Sequence, residues 1–382
     1  MKNGTIGLYI HIPFCRQKCS YCDFLSWPQH EGSVPAYVEG LVREIGLYRG
    51  VLANMQVSTV FFGGGTPSLL SGSEVSIILE AIKSVAHLSS EAEISLEGNP
   101  ETLWEEKIQQ YAAAGVNRLS IGLQSTHPHL LRSIGRMHSV EDFYKSVEWS
   151  RKAGIGNING DLIFGIPGQQ LEDWKESVAE LVNLRLPHLS CYGLTYEEGT
   201  PLTSQMERGL VVPVEEDLEW MMFRHGIDWL KSKGYTHYEI SNYAMPGFEC
   251  RHNINYWENG EYIGLGAGAH GFYDESRKEN ATSLKAYYKL ISENKKPIVK
   301  EHRVSKNASI SETCFLGLRM MKGISDENFK KRYGLSLKEA YPEELPRLIE
   351  GGLLEYVGGH VRLTKKGVDL SNLVFEALLL DE

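Results

Sequence analysis

Residues 11–24 read HIPFCRQKCSYCDF, and within them Cys15, Cys19 and Cys22 follow the spacing C-x3-C-x2-C. The run before them, Gly7–Ile12, is apolar and β-rich, so the three thiols sit on a loop that follows a strand. Thiolates are soft ligands suited to zinc or to iron–sulfur clusters. Structural zinc asks for a closed tetrahedron, usually from two separated ligand pairs. The other cysteines, Cys191, Cys250 and Cys314, are single and scattered. Three thiolates on one loop suit a cubane better, with three irons held by protein and the fourth left open to a small ligand.

Outward from this loop, residues 7 to about 195 repeat one pattern: an apolar strand-like run, a Gly or Pro loop, then an amphipathic stretch. The strand-like runs are Gly7–Ile12, Thr59–Phe62, Glu93–Glu97, Arg118–Gly122, Gly160–Phe164 and His188–Tyr192. Helical segments between them include Ala36–Tyr48, Glu74–Ala86, Glu105–Ala114 and Leu171–Asn183. Such alternation predicts a parallel sheet of βα units, either open and doubly wound or an incomplete barrel. Glycines and polar residues recur at the C-terminal strand ends, as Gly63–Thr66, Glu97, Gln124 and Asp161, which leans toward a barrel with one concave site.

After about residue 200 the rhythm changes to a long amphipathic helix, Glu215–Lys233, and an aromatic, Gly-rich region from Tyr235 to Tyr273. The stretch 275–307 reads as an exposed connection. The tail, about 309–378, reads as helices followed by a hairpin around Gly358-Gly359, the pattern of a winged-helix module. Expected divisions are 1–200 for the βα units, 201–300 for an accessory α/β region and 301–382 for the winged-helix-like part.

Hydrophobic content of 42% with 23% charge describes an ordered chain able to bury a large core. A net charge of −10 leaves no sequence-wide basic surface, and the winged helix balances acidic with basic residues, so no nucleic acid is expected as a partner. MKNGTIGLYIHIPF lacks the apolar core and cleavage site of a signal peptide, and no apolar run is long enough to span a membrane. A cytoplasmic protein is expected, in which a tight cysteine cluster reads as metal binding rather than disulfides.

The cysteine spacing after a first strand resembles the radical S-adenosylmethionine (SAM) superfamily. YIHIPFC, FFGGGTPS, ISLEGNP, RLSIGLQS, IGRMH and NGDLIFGIPGQ are similar to blocks of the oxygen-independent coproporphyrinogen III dehydrogenase group and its relatives. The resemblance covers nearly the whole chain. It implies an incomplete parallel (β/α)6 barrel with a C-terminal α+β extension. It also implies a [4Fe-4S] cluster on Cys15, Cys19 and Cys22, with SAM chelating the open iron. Gly64, Gly65 and Thr66 would then meet the methionyl amino group, with Glu97 pairing to the same ammonium. Arg136 would take the methionyl carboxylate, and Gln124 and Asp161 would accept from ribose hydroxyls. Tyr9 and Tyr21 would lie near the sulfonium and adenine. In the superfamily a reduced cluster cleaves SAM to methionine and a 5′-deoxyadenosyl radical, while the protein positions and excludes water.

Two features separate the chain from the porphyrinogen dehydrogenases. Those enzymes typically continue C-x3-C-x2-C-x-C, whereas the corresponding residue is Phe24. They also carry a substantial N-terminal extension, whereas eight residues precede Tyr9, so that lid is expected to be absent. A third feature, His252-Asn253-Ile254-Asn255-Tyr256-Trp257, fits HNxxYW and resembles the HemW haem chaperones. Imidazole is a good axial ligand for haem iron, so His252 is a candidate, with Tyr256 and Trp257 as an aromatic wall. Cys250 is disfavoured as a haem anchor because no C-x-x-C-H motif exists. GLGAGAHG, Gly264 to Gly271, lacks the frame of a dinucleotide loop and reads as a packed loop beside the barrel. The resemblance thus implies a chaperone binding cluster, SAM and haem and lacking dehydrogenase activity. It further implies a reductant such as flavodoxin or ferredoxin and an apo-haem acceptor among respiratory proteins, met peripherally at the membrane. Cluster-dependent dimerisation is a further implication. The enzyme alternative is oxidative decarboxylation of coproporphyrinogen III, and a second alternative is nucleic-acid binding through the winged helix.

Overall fold

The computed structural model describes residues 4–28 and 30–380. Six strands form its centre: β1 (Thr5–Ile12), β2 (Gln56–Gly64), β3 (His87–Gly98), β4 (Arg118–Gln124), β5 (Asn157–Phe164) and β6 (His188–Gly193). They pair in chain order and all run parallel. The crossovers carry α1 (Val34–Leu47), α2 (Gly72–Val85), α3 (Glu105–Ala114), α4 (Val140–Lys152) and α5 (Leu171–Asn183). Ser71 and Ser139 begin α2 and α4 with reciprocal capping boxes to Glu74 and Asp142, which explains the sharp loop-to-helix switches.

Side-chain alternation decides which face of this sheet is wet. Ile94 and Leu96, Leu119, Ile121 and Leu123, and Ile158 and Leu162 join one apolar core with Ile78 and Ile82 of α2, Ile108 of α3 and Phe143 of α4. The opposite face carries Glu93, Ser95 and Glu97, then Arg118, Ser120 and Gln124, then Asn159 and Asp161, then His188 and Ser190. The helices therefore cover an apolar face and the concave face is polar.

Residues from all six strands line one cavity, so the sheet is curved into part of a barrel. It stays open. On the β6 side it is extended by the antiparallel strands β7 (Thr236–Glu239) and β8 (Asn242–Ala244). On the β1 side, β9 (Tyr262–Leu265) adds in parallel, followed by the antiparallel β10 (His270–Tyr273), β11 (Ser276–Asn280) and β12 (Ile298–Arg303). The outermost strands β7 and β12 do not pair with each other.

The reading of 275–307 as a connection is corrected by this extension: it holds β11, β12, and α8 (Leu284–Ser292) between them. β12 is an edge strand exposed at five of its six positions, tied by Lys300–Glu279 at 3.0 Å and Arg303–Glu275 at 2.5 Å. Edge strands favour charge over apolar alternation, which removes the signal that strand recognition uses. The Gly-rich stretch is likewise not one loop, since Gly264 lies within β9. A Cβ there would fall 1.9 Å from the His270 carbonyl oxygen, so the residue type follows from strand packing.

α6 (Glu216–Ser232) covers the β5–β6 side, and α7 (Arg251–Trp257) lies against β2. The C-terminal part runs α9 (Lys306–Gly317), β13 (Ile324–Ser325), α10 (Asp326–Tyr333), α11 (Glu344–Glu350) and the hairpin β14 (Leu354–Val357)–β15 (His360–Leu363). Gly358 and Gly359, with φ of 57° and 78°, make the two-residue turn in the left-handed region that strand twist favours. This arrangement is that of a winged helix. It docks on the β7 edge through Ile240 N–H to Arg319 C=O at 3.1 Å and Met321 N–H to Tyr238 C=O at 3.0 Å. Among the described residues no helix is long and apolar enough to cross a membrane.

Candidate functional site

The cysteine loop leaves β1 at Pro13 and is closed at its base by a short parallel bridge between Phe14–Cys15 and Trp27–Pro28. Cys15 is buried, whereas Cys19 and Cys22 are half-buried, and all three are free thiols lining the cavity. The loop is held from several sides: Cys22 N–H donates to Cys19 C=O, Ser20 N–H to Ile134 C=O, and Lys18 Nζ to Phe24 C=O. Two donors approach the sulfurs. Thr66 Oγ1 lies 3.4 Å from Cys15 Sγ, and Arg136 Nη1 lies 3.6 Å from Cys19 Sγ. Among the described residues no group of three or more His, Cys, Asp or Glu is gathered tightly enough to hold a single ion. A cubane takes each thiolate on a different iron, so a spread set of three soft donors fits a cluster rather than zinc.

Opposite the loop stand the strand ends. Gly65 N–H and Thr66 N–H donate to the Ile12 and Phe14 carbonyls at 2.9 and 2.7 Å, clamping the GGGTP turn to β1. A Cβ on Gly65 would fall 2.6 Å from the Phe14 carbonyl oxygen, and Gly64 has φ of 111°, so neither tolerates a side chain. Glu97 accepts from Gly64 N–H at 3.3 Å. Burial, and then the Asp161 charge, push its pKa up to about 8, so a cation placed beside it would restore its charge. Asp161 accepts from Asn159 Nδ2 at 2.7 Å and is also raised, chiefly by burial. Gln124 ends β4 with φ of 71°, a left-handed backbone that a non-glycine residue adopts only when its surroundings impose it.

Arg136 reaches the same rim from the loop after the fourth strand. Its Nη2 donates to Gly122 C=O at 2.7 Å and Asn99 Oδ1 at 2.9 Å, while its Nε is buried without a partner. Tyr9 stacks on Phe61 with ring centroids 6.3 Å apart, and its hydroxyl meets His11 Nδ1 at 3.1 Å. Tyr21 packs against Leu130, Ile134 and Leu194. Tyr9, Tyr21, Gly64, Gly65, Thr66, Glu97, Gln124, Arg136 and Asp161 thus share one cavity of about 520 Å3 with the three cysteines.

His252 is not brought to that cavity. It is fully buried, with Nδ1 2.7 Å from Thr59 Oγ1 and Nε2 2.8 Å from the Tyr256 hydroxyl. Its ring stacks on Phe61 at 5.1 Å, and burial lowers its pKa to about 3, which keeps the imidazole neutral. Of the HNxxYW stretch, Asn253 and Tyr256 line the cavity. Trp257 faces a second hollow of about 380 Å3, shared with Tyr256, Tyr262 and Arg277, and its indole N–H is buried without a partner. The aromatic wall therefore divides, with Tyr256 standing between the two spaces.

The sequence reading passed over Arg118, Asn99, Asn159 and Thr59. Arg118 lines the cavity, Asn99 holds Arg136, Asn159 holds Asp161, and Thr59 holds His252. Arg118 shares the inward face with Ser120 and Gln124 at even intervals, so the strand period places it on that face, while its charge at a strand start reads as surface.

A three-cysteine loop after the first strand of an open six-stranded parallel barrel, facing polar strand ends across one cavity, defines a radical SAM protein. The sequence profile of the Radical SAM superfamily matches residues 9–181, and that of the HemN C-terminal domain matches residues 304–370. The chain belongs to the HemW heme chaperone family. It is 38% identical to the heme chaperone HemW of Lactococcus lactis over 98% of this chain and 97% of that one. It is also 38% identical to that of Bacillus subtilis over 97% and 98%, and 41% identical to that of Escherichia coli over 71% of each. Among solved structures, the Escherichia coli coproporphyrinogen III oxidase HemN, described as a radical SAM enzyme, superposes with a TM-score of 0.86. It is 20% identical and covers 99% of this chain and 90% of that chain, a likeness of fold.

Proposed function

We propose that this protein is a haem chaperone: it binds a [4Fe-4S] cluster, SAM and haem, and delivers haem to an apoprotein. The observation that carries the reading is the single cavity uniting Cys15, Cys19 and Cys22 with the strand-end acceptors, in a chain that follows named heme chaperones over nearly its full length. When bound, the cluster and SAM supply one-electron chemistry. The chain's own residues bind and orient. Glu97 and the Gly64–Thr66 turn would hold the methionyl ammonium, Arg136 the carboxylate, and Gln124 and Asp161 the ribose. Tyr9 and Tyr21 border the rest, and the unpartnered Arg136 Nε is the donor left for an incoming carboxylate.

For haem, Thr59 Oγ1 holds one nitrogen of His252 in place, and Nε2 would be the atom offered to iron once the Tyr256 hydroxyl moves aside. Phe24, 63% exposed beside the cluster loop, offers no thiol where the dehydrogenase group keeps one, which supports transfer over porphyrinogen oxidation. The working place is the cytoplasm, with peripheral contact at the membrane where a respiratory acceptor takes haem. A flavodoxin- or ferredoxin-type reductant serves the cluster, and two copies associate when it is loaded. Beyond the βα units, the chain divides near residues 200 and 300 into the accessory region, which continues the barrel sheet, and the winged-helix part docked on it.

The test is haem transfer from the purified, anaerobically reconstituted protein to apo-cytochromes, with and without the cluster. Cluster-dependent transfer is expected. Protoporphyrinogen formation from coproporphyrinogen III at enzyme-like rates would contradict it. Salt-dependent retardation of DNA would favour the winged helix as a nucleic-acid module instead.

A further inference from the structure

Arg118 opens β4 on the floor of the cavity with 2% of its surface exposed. Its Nε is buried without a hydrogen bond, and Cys250, Glu93, Tyr238 and Asp161 act on its charge from beyond ion-pair distance. A buried guanidinium carries five N–H donors, and proteins seldom leave such a group unpaired.

The carboxylates nearby are already engaged. Glu93 Oε1 accepts from His252 N–H at 3.2 Å and its Oε2 from Arg251 N–H at 3.1 Å. Asp161 accepts from Asn159, and Glu97 from Gly64 N–H. None of the three forms an ion pair with Arg118. The guanidinium therefore borders the cavity with its Nε unpartnered, below the strand ends and cysteines that would hold SAM.

We propose that the barrel floor is a carboxylate site, in which Arg118 takes a monoanionic carboxylate through both oxygens. The planar fork of a guanidinium matches a carboxylate in this way. Asp161 lines the same cavity, so a monoanionic carboxylate adds less like charge there than a dianionic phosphate would. The ligand chemistry has two sources, a small free carboxylate or a propionate arm of the tetrapyrrole. Only the second rests on the haem-chaperone reading.

Propionate is titrated calorimetrically into the reconstituted wild type, Arg118→Met and Arg118→Lys. In parallel, haem and haem dimethyl ester are titrated by their Soret bands, and circular dichroism with SAM binding checks that each variant is folded. If the ligand is free, propionate binds the wild type and weakens by at least about tenfold in Arg118→Met, with a smaller loss in Arg118→Lys. If it is a tetrapyrrole arm, haem weakens by a similar factor while the diester is indifferent to the substitution. Should Arg118→Met not fold, Arg118→Lys decides, since it keeps the charge and loses the fork. Folded variants that bind propionate and haem as the wild type does would overturn the proposal and leave Arg118 a water-bridged structural residue. A failure of haem binding altogether overturns the chaperone reading but leaves the propionate titration to decide this one.

Discussion

Tyr256 stands between His252 and the cavity, and its hydroxyl occupies the imidazole nitrogen that haem iron needs. One neutral hydrogen bond contributes about 1 kcal/mol, so Tyr256→Phe should tighten haem binding by roughly fivefold. His252→Ala should abolish the histidine-type Soret band in the same titration. Unchanged spectra in both variants would exclude His252 as the iron ligand. The residue types of the motif were legible in the sequence, but their contacts were not. Thr59 lies 193 positions from His252 and meets it only because α7 packs on β2.

At the scale of elements, the GGGTP turn couples β2 to the cluster loop. Gly65→Ala would drive a methyl against the Phe14 and Ile12 carbonyls, 2.6 and 2.9 Å from its ideal position. Overpacking of this kind costs about 1–3 kcal/mol. Calorimetry should show weakened SAM binding and reduced iron content in the folded variant; retention of both would show that the turn tolerates the methyl. The parallel strands and their helices were legible because period-2 and period-3.6 patterns alternate cleanly, and α3 and α5 begin and end at the residues those patterns indicate. β12 was not, because its exposed sequence IVKEHR carries no apolar stripe. Arg118 was hidden differently. Its period was correct, but a charged residue at a strand start reads as surface until curvature places it inside.

Across the whole molecule, the sheet extension is tied to α1 through Glu44, fully buried and accepting from Gly266 N–H, Asn280 Nδ2 and the Tyr287 hydroxyl at 2.8, 2.9 and 2.8 Å. Desolvation outweighs these bonds and raises its pKa from 4.5 to about 7. The folded state thus holds a proton that the unfolded chain releases near its ordinary value. The associated stability is complete below about pH 4.5 and is lost as pH rises through about 7, up to about 3 kcal/mol. Denaturant unfolding between pH 5 and 8 should show this loss in the wild type and a flatter profile in Glu44→Gln; equal slopes would contradict it.

The central claim is that three thiolates on one loop leave an iron open toward the strand-end pocket. Its most direct test is electron paramagnetic resonance of the reduced, anaerobically reconstituted protein, recorded before and after SAM addition. A cubane signal that SAM shifts in the wild type, and that is lost in Cys15→Ala, Cys19→Ala or Cys22→Ala, is the expected result. A signal indifferent to SAM, or a cluster that survives loss of any of these cysteines, would contradict the account.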